Sequence, residues 1–242
     1  MFGEILNRQQ ERIDYTFHPG QDDGRIVVLG HGVTGNKDRP FVVALAGGLS
    51  AAGIGVLRFS FAGNGDSGGR FEDATVSKEA DDLESVLDAV GDRFIYYIGH
   101  SMGGAVGVLQ ASRDQRIRCL VSLAGMVHTD AFAKREFGEQ TPDSGCMWED
   151  DGCPLSQSYM DDMASIHSVV ELASSISVPW LFVHGTEDDV VPPQDTHDIM
   201  ARAAGSTQLL ELAGSDHVFS DDATAPMVSG VVAWVSKHVD GK

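Results

Sequence analysis

The sequence predicts an α/β fold: a mostly parallel central sheet, helices on both faces, and one long insertion serving as a lid. Three observations predict it. Short apolar runs alternate with helix-period stretches of about 10 to 15 residues, the rhythm of βαβ units. Runs such as Arg25–Leu29 and Phe94–Ile98 are apolar almost throughout, as strands buried on both faces must be. Glycine-rich turns follow several of them, at the sheet edge where open α/β folds hold ligands.

At 242 residues the chain can bury a full core, and no linker, repeat or low-complexity tract divides it. One domain is expected, with a core of residues 1–125 and 166–242 and an insertion over 126–165. The N-terminus lacks an apolar signal-peptide core and no segment reaches 18 apolar residues, so no membrane span and a cytoplasmic location are expected. A net charge of −19 argues against nucleic-acid binding, which needs a basic face. Asp outnumbers Glu and Arg outnumbers Lys. A well-hydrated surface is the preferred reading of this acidity, and a high-salt habitat the sharper one.

In chain order, Arg12–Phe17 alternates polar and apolar residues, as an edge strand does. Arg25–Leu29 is a buried strand ending in the glycine-rich Gly30–Gly35 turn. Phe41–Ala52 has helical spacing, and Gly55–Phe61 is the next strand. The turn Ala62–Gly69 lacks the lysine of a phosphate loop and reads as a tight surface loop. From Val76, the apolar Ala80, Leu83, Val86, Leu87 and Val90 recur every three or four residues, with Thr75 placed to cap the helix. A strand leads into Ser101, a helix runs to about Ser112, and Ile117–Leu123 is another strand. The rhythm breaks over 126–165, which is long, polar and without a clear period, the mark of a functional insertion. It resumes with a helical turn at Val169–Ser174, a strand at Pro179–Val183, a helix at Gln194–Ala204, a strand at Gln208–Leu212 and a last helix at Ala225–His238.

The chemistry centres on Ile98-Gly99-His100-Ser101-Met102-Gly103-Gly104. A strand enters and a helix leaves, with a serine at the apex and glycines at i−2 and i+2. A serine hydroxyl is a weak nucleophile until a base takes its proton, and a histidine serves only if a buried carboxylate fixes its tautomer. Asp188 and His217 both follow predicted strands, so they gather with Ser101 at one sheet edge. Asp189 and Asp216 are the rival acids. Of the other histidines, His31 and His184 end strands and read as structural, and His100 is expected to point away from the apex. His197 and His238 lie on helices, and His18 lies near the N-terminus. The backbone amides of Val33 and Met102 complete an expected oxyanion hole.

Cys119 reads as a small core residue. Cys146 and Cys153, in the insertion, are unrelated thiols, a metal pair with His128 or His167, or a local disulfide. No cofactor is called for.

Gly30-His31-Gly32-Val33-Thr34-Gly35-Asn36-Lys37, Arg58–Ser67, Gly99–Gly103, His184–Pro192 and Asp216-His217 together resemble the α/β-hydrolase superfamily. The branch they are most similar to is the bacterial cinnamoyl/feruloyl esterases and related serine carboxylesterases. Serine, acid and histidine occur in the chain order of that fold. The resemblance implies an esterase acting on a small-molecule ester through Ser101, Asp188 and His217, with a lid that shapes the acyl pocket. Phe132, Phe137, Trp148 and Tyr159 are the candidate pocket wall. A thioesterase or peptidase of the same fold is the alternative, and a non-catalytic binding module a remote one.

Overall fold

The computed structural model describes residues 2–238. Strands β1 (Ile5–Leu6) and β2 (Arg12–Ile13) form a small antiparallel pair. The main sheet holds β3 (Tyr15–His18), β4 (Arg25–Gly30), β5 (Val56–Phe59), β6 (Phe94–His100), β7 (Ile117–Leu123), β8 (Trp180–Gly185) and β9 (Thr207–Leu212). Their spatial order is β3-β5-β4-β6-β7-β8-β9. Every pairing is parallel except β3 against β5.

The expected edge strand over Arg12–Phe17 is divided at Asp14. Its amide donates to the Ser67 hydroxyl at 2.8 Å and its carbonyl accepts from the Ser60 amide at 2.9 Å, so the chain changes partners there. Only the second half joins the main sheet.

Alternation along the strands explains why both faces are covered. Val27 and Leu29 of β4 pack under α1 (Pro40–Ala51) and α7 (Thr224–Lys237), with Leu45, Leu49, Val231 and Val235. Val28, between them, faces the opposite layer, with Leu83 and Leu87 of α2 (Val76–Val90) and Ala105 of α3 (Met102–Ala111). Thr75 caps α2 as expected, its hydroxyl accepting from the Lys78 amide at 3.2 Å.

The stretch 126–165 departs from expectation. It contains two helices, α4 (Thr129–Phe137) and α5 (Gln157–Ile166), which pack on each other. Their period escapes the eye because each is short and turns few side chains inward, Phe132, Ala133 and Phe137 on one and Tyr159 and Met163 on the other. Ser156 caps α5 by accepting from the Tyr159 amide at 3.1 Å. The base of the stretch is closed by Thr129 Oγ1 donating to the Met163 carbonyl at 2.8 Å and by the Val169 amide donating to Val127 at 2.9 Å. Its inward side chains join the same buried cluster as α2 and α3. The eighth-strand helix, α6 (Pro193–Met200), ends a turn earlier than the spacing predicts.

Cys119 is buried, and Cys146 and Cys153 are free thiols flanking a short turn in which the Met147 amide donates to the Cys153 carbonyl at 2.8 Å. Burial, with the Asp150 charge next, pushes the Cys153 thiol up to about 11. Among the described residues no group of three His, Cys, Asp or Glu side chains could hold a metal ion, and no helix is long and apolar enough to cross a membrane.

From β4 the chain steps outward to β5 and then returns to β6 on the other side of β4. The strand order reverses at that point, leaving a crevice between the carboxyl ends of β4 and β6.

Candidate active site

Ser101 stands at the tip of β6, at this crevice. Its backbone has φ 52° and ψ −120°, a conformation that costs about 1–3 kcal/mol and persists only where neighbours enforce it. The enforcement comes from close backbone packing. A Cβ on Gly99 would lie 2.1 Å from the Gly103 carbonyl oxygen, and one on Gly103 would lie 2.4 Å from that of His31. The loop after β4 therefore lies against the turn, close enough that a Cβ on Gly32 would meet the Ser101 Cβ at 2.7 Å. Met102 opens α3, so its amide is one of the helix's unpaired N-terminal donors, at the positive end of the dipole. Among the described residues neither that amide nor the Val33 amide has a protein acceptor.

Asp188 follows β8, and His217 lies in the loop after β9. His217 Nδ1 donates to Asp188 Oδ2 at 2.8 Å, which in the neutral ring puts the lone pair on Nε2. Asp189 is exposed, and the Asp216 carboxylate instead accepts from the Ser220 amide at 2.8 Å. The Asp188 carboxylate is fully engaged. Oδ1 accepts from the amides of Val190 and Val191 at 2.9 and 2.8 Å. Oδ2 also lies 3.2 Å from His184 Nε2. Burial alone would raise this carboxyl, but the bonds from His184, His217 and the Val191 amide hold it well below the usual carboxylate range.

His184 is the contact that sequence reasoning missed. Its spacing of four before Asp188 was visible, but nothing in a sequence says that its ring turns back. The Thr196 hydroxyl, 2.7 Å from Nδ1, fixes which nitrogen faces the acid, and Nε2 also reaches the Val191 carbonyl at 2.9 Å.

Ser101 and His217 line one cavity of about 300 Å³. Among the described residues no hydrogen bond joins the Ser101 hydroxyl to His217, a contact that in free enzymes commonly tightens only with substrate. The wall is apolar, from Val33, Phe41, Trp148, Val190 and Val218, with Arg39 at its rim. Trp148 alone among the four candidate aromatics reaches it. Phe132, Phe137 and Tyr159 do not, because they are buried against each other and the core. His100 also departs from expectation: it lines the cavity, with its ring 4.7 Å from that of His217 and its Nε2 2.9 Å from the His217 carbonyl. Burial, reinforced by His217, lowers it to about 3, so it is neutral. His31 is structural as expected. Its Nε2 accepts from the Phe61 amide at 3.0 Å, its Nδ1 donates to the Gly32 carbonyl at 2.8 Å, and burial lowers it to about 4.

Known proteins bear the same stamp. The structure of Est1E from Butyrivibrio proteoclasticus with ferulic acid bound superposes with a TM-score of 0.85 at 24% identity, covering 98% of this chain and 99% of that one. Mouse alpha/beta hydrolase domain-containing protein 10 gives 0.80 at 18% identity, covering 99% and 98%. At these identities the likeness concerns the fold. In sequence, the bovine mitochondrial palmitoyl-protein thioesterase ABHD10 is 23% identical over 215 residues, covering 84% of this chain and 70% of that protein. A protein of Azorhizobium caulinodans named for carbamate hydrolysis, RutD, is 32% identical over 117 residues, 47% of this chain. This chain spans 42% of the length of that relative. The family model for the alpha/beta hydrolase fold matches residues 25–145, half of the sequence, and covers the strands and turns that build the Ser101 crevice, so the chain belongs to the α/β-hydrolase family.

Proposed function

We propose that this hydrolase cleaves carboxylic esters through an acyl-enzyme on Ser101. The observation that carries the reading is the His217–Asp188 hydrogen bond at 2.8 Å beside a strained serine in one apolar cavity. His217 Nε2 takes the Ser101 proton as Oγ bonds to the substrate carbonyl carbon, and the carbonyl electron pair moves to oxygen. The amides of Val33 and Met102 hold that oxyanion, aided by the α3 dipole. As the tetrahedral adduct collapses, its bond to the alcohol oxygen breaks and His217 returns the proton to the leaving group. Water then repeats the sequence on the acyl-enzyme and frees Ser101. Asp188 holds Nδ1–H throughout and favours the imidazolium that forms in each step.

The stretch 126–165 acts as a lid whose contribution to the cavity is Trp148, while its other large aromatics anchor it to the core. The apolar wall suits an aromatic or short aliphatic acyl group. The same steps cleave a thioester, and the likeness to ABHD10 makes that the second reading.

A fluorophosphonate should label Ser101 and no other residue, as read by peptide mass spectrometry. Ser101→Ala and His217→Ala should each lower turnover by about 10⁴-fold or more, with little added by combining them, since the triad acts as a unit. Labelling elsewhere, or esterase activity surviving in Ser101→Ala, refutes the assignment. A panel of p-nitrophenyl esters and acyl-thioesters of matched acyl length decides between the two substrate classes.

A further inference from the structure

The chain carries 36 acidic and 17 basic residues, yet among the described residues no Asp or Glu lines the cavity at Ser101. His31 and His100 on its wall are held neutral by burial. That leaves Arg39, in the exposed segment just before α1, as a fixed positive charge at the rim of an otherwise apolar cavity. In so acidic a protein most cations are taken up by carboxylates, and Arg39 has one beside it in the chain. Asp38, next to it in the chain, is turned away to Lys37 and Arg58. Among the described residues Arg39 pairs with no carboxylate. Among the described residues its one side-chain hydrogen bond is from Nη2 to the Thr34 carbonyl at 2.9 Å, which uses one of five side-chain N–H donors.

From this we infer that Arg39 selects substrates whose end remote from the scissile carbonyl carries an anion, a carboxylate or a phosphate. The inference rests on the hydrolase reading above. The guanidinium fork matches both anions, and its remaining donors are free to meet them. The apolar side chains that line the same cavity as Ser101 and Arg39 accommodate the hydrocarbon that joins the two ends. The net charge of −19 does not prevent this, because at physiological salt charges beyond about 8 Å are largely screened whereas the Arg39 contact is direct.

The anion can belong to the acyl group or to the leaving group, and two substrate pairs separate these. The first compares p-nitrophenyl hydrogen adipate with p-nitrophenyl hexanoate, which differ in a terminal carboxylate. The second compares hexanoyl-coenzyme A with the neutral hexanoyl-N-acetylcysteamine. The readout is the ratio of kcat/KM, anionic over neutral, so any effect of a substitution on folding or on Ser101 scales both substrates alike and drops out. In the unaltered protein at least one ratio should exceed one, and Arg39→Met should lower that ratio about tenfold, the loss of a charge-assisted hydrogen bond. Arg39→Lys should retain part of it. A shift in the first pair assigns the anion to the acyl side, and a shift in the second to the leaving group. Should Arg39→Met fail to fold, the ratios of the unaltered protein and of Arg39→Lys decide the matter. Ratios at or below one in the unaltered protein, or unchanged by both substitutions, overturn the inference while leaving the hydrolase reading intact. Absence of turnover on all four substrates refutes that reading and this inference with it.

Discussion

Replacing Asp188 by Asn tests the proposed mechanism where the structure is most specific. Asn is nearly isosteric, so the question is which way its amide faces. Oδ1 of Asp188 accepts from two backbone amides, those of Val190 and Val191. The Asn carbonyl must occupy that position, because two N–H donors cannot face an NH₂ group. The NH₂ then points at His217 Nδ1 and towards His184 Nε2, in place of the oxygen 2.8 and 3.2 Å from them. His217 can accept from it only as the tautomer that carries its proton on Nε2, where the lone pair is needed. Turnover should therefore fall by about 10⁴, or roughly 5.4 kcal/mol in the barrier. A second effect falls on stability. His184 donates from Nε2 to the Val191 carbonyl, so the new NH₂ opposes it, and such an unpaired buried donor costs about 1–3 kcal/mol. Turnover of p-nitrophenyl butyrate gives the first quantity and a urea midpoint the second. Asp189→Asn, at an exposed position, should leave turnover within about twofold of the unaltered protein and its stability within about 0.5 kcal/mol. An Asp188→Asn enzyme within tenfold of the unaltered rate, or equal losses for the two variants, would refute the reasoning.

Two further outcomes are expected. Glu79, fully buried on α2 and with no hydrogen-bond partner for either carboxyl oxygen among the described residues, has its carboxyl raised well above the usual 4.5 by burial first and by Asp82 second. The folded protein then keeps a proton that the unfolded chain loses, so wild-type stability falls as pH rises above about 4.5, by about 1.36 kcal/mol per unit until the folded pKa is reached. Glu79→Gln removes that dependence, so the variant's urea midpoint relative to the unaltered protein should climb from pH 5 to pH 8, and a flat difference would show Glu79 ionising normally. Trp148 is 43% exposed and touches both the cavity and Phe137, so Trp148→Ala should cut kcat/KM for aromatic or long acyl esters about tenfold while acetate loses less. An unchanged ranking of acyl groups would show that the stretch 126–165 is only a cover.

The fold was legible because it is written in short-range terms. Apolar runs of strand length, helical spacing after Thr75 and glycines beside Ser101 each follow from local sterics and burial, and each is where the spacing predicts. The Asp188–His217 contact was legible for a related reason: both residues follow parallel strands, and parallel strands deliver their following loops to one edge. What the sequence could not contain is direction. Whether an aromatic in 126–165 turns into a cavity or into the core depends on which surfaces α4 and α5 meet. Phe132, Phe137 and Tyr159 turn to the core, and only Trp148 is left beside Ser101. Likewise, His184 and His100 become neighbours of Asp188 and His217 through ring orientation across strands β6, β8 and β9, and among the described residues Arg39 meets no carboxylate because Asp38 turns to Lys37 and Arg58. Local pattern determined the elements and the order of the reactive residues along the chain. Long-range packing decided which side chains share a cavity, because contacts between residues far apart in sequence exist only once the sheet has assembled.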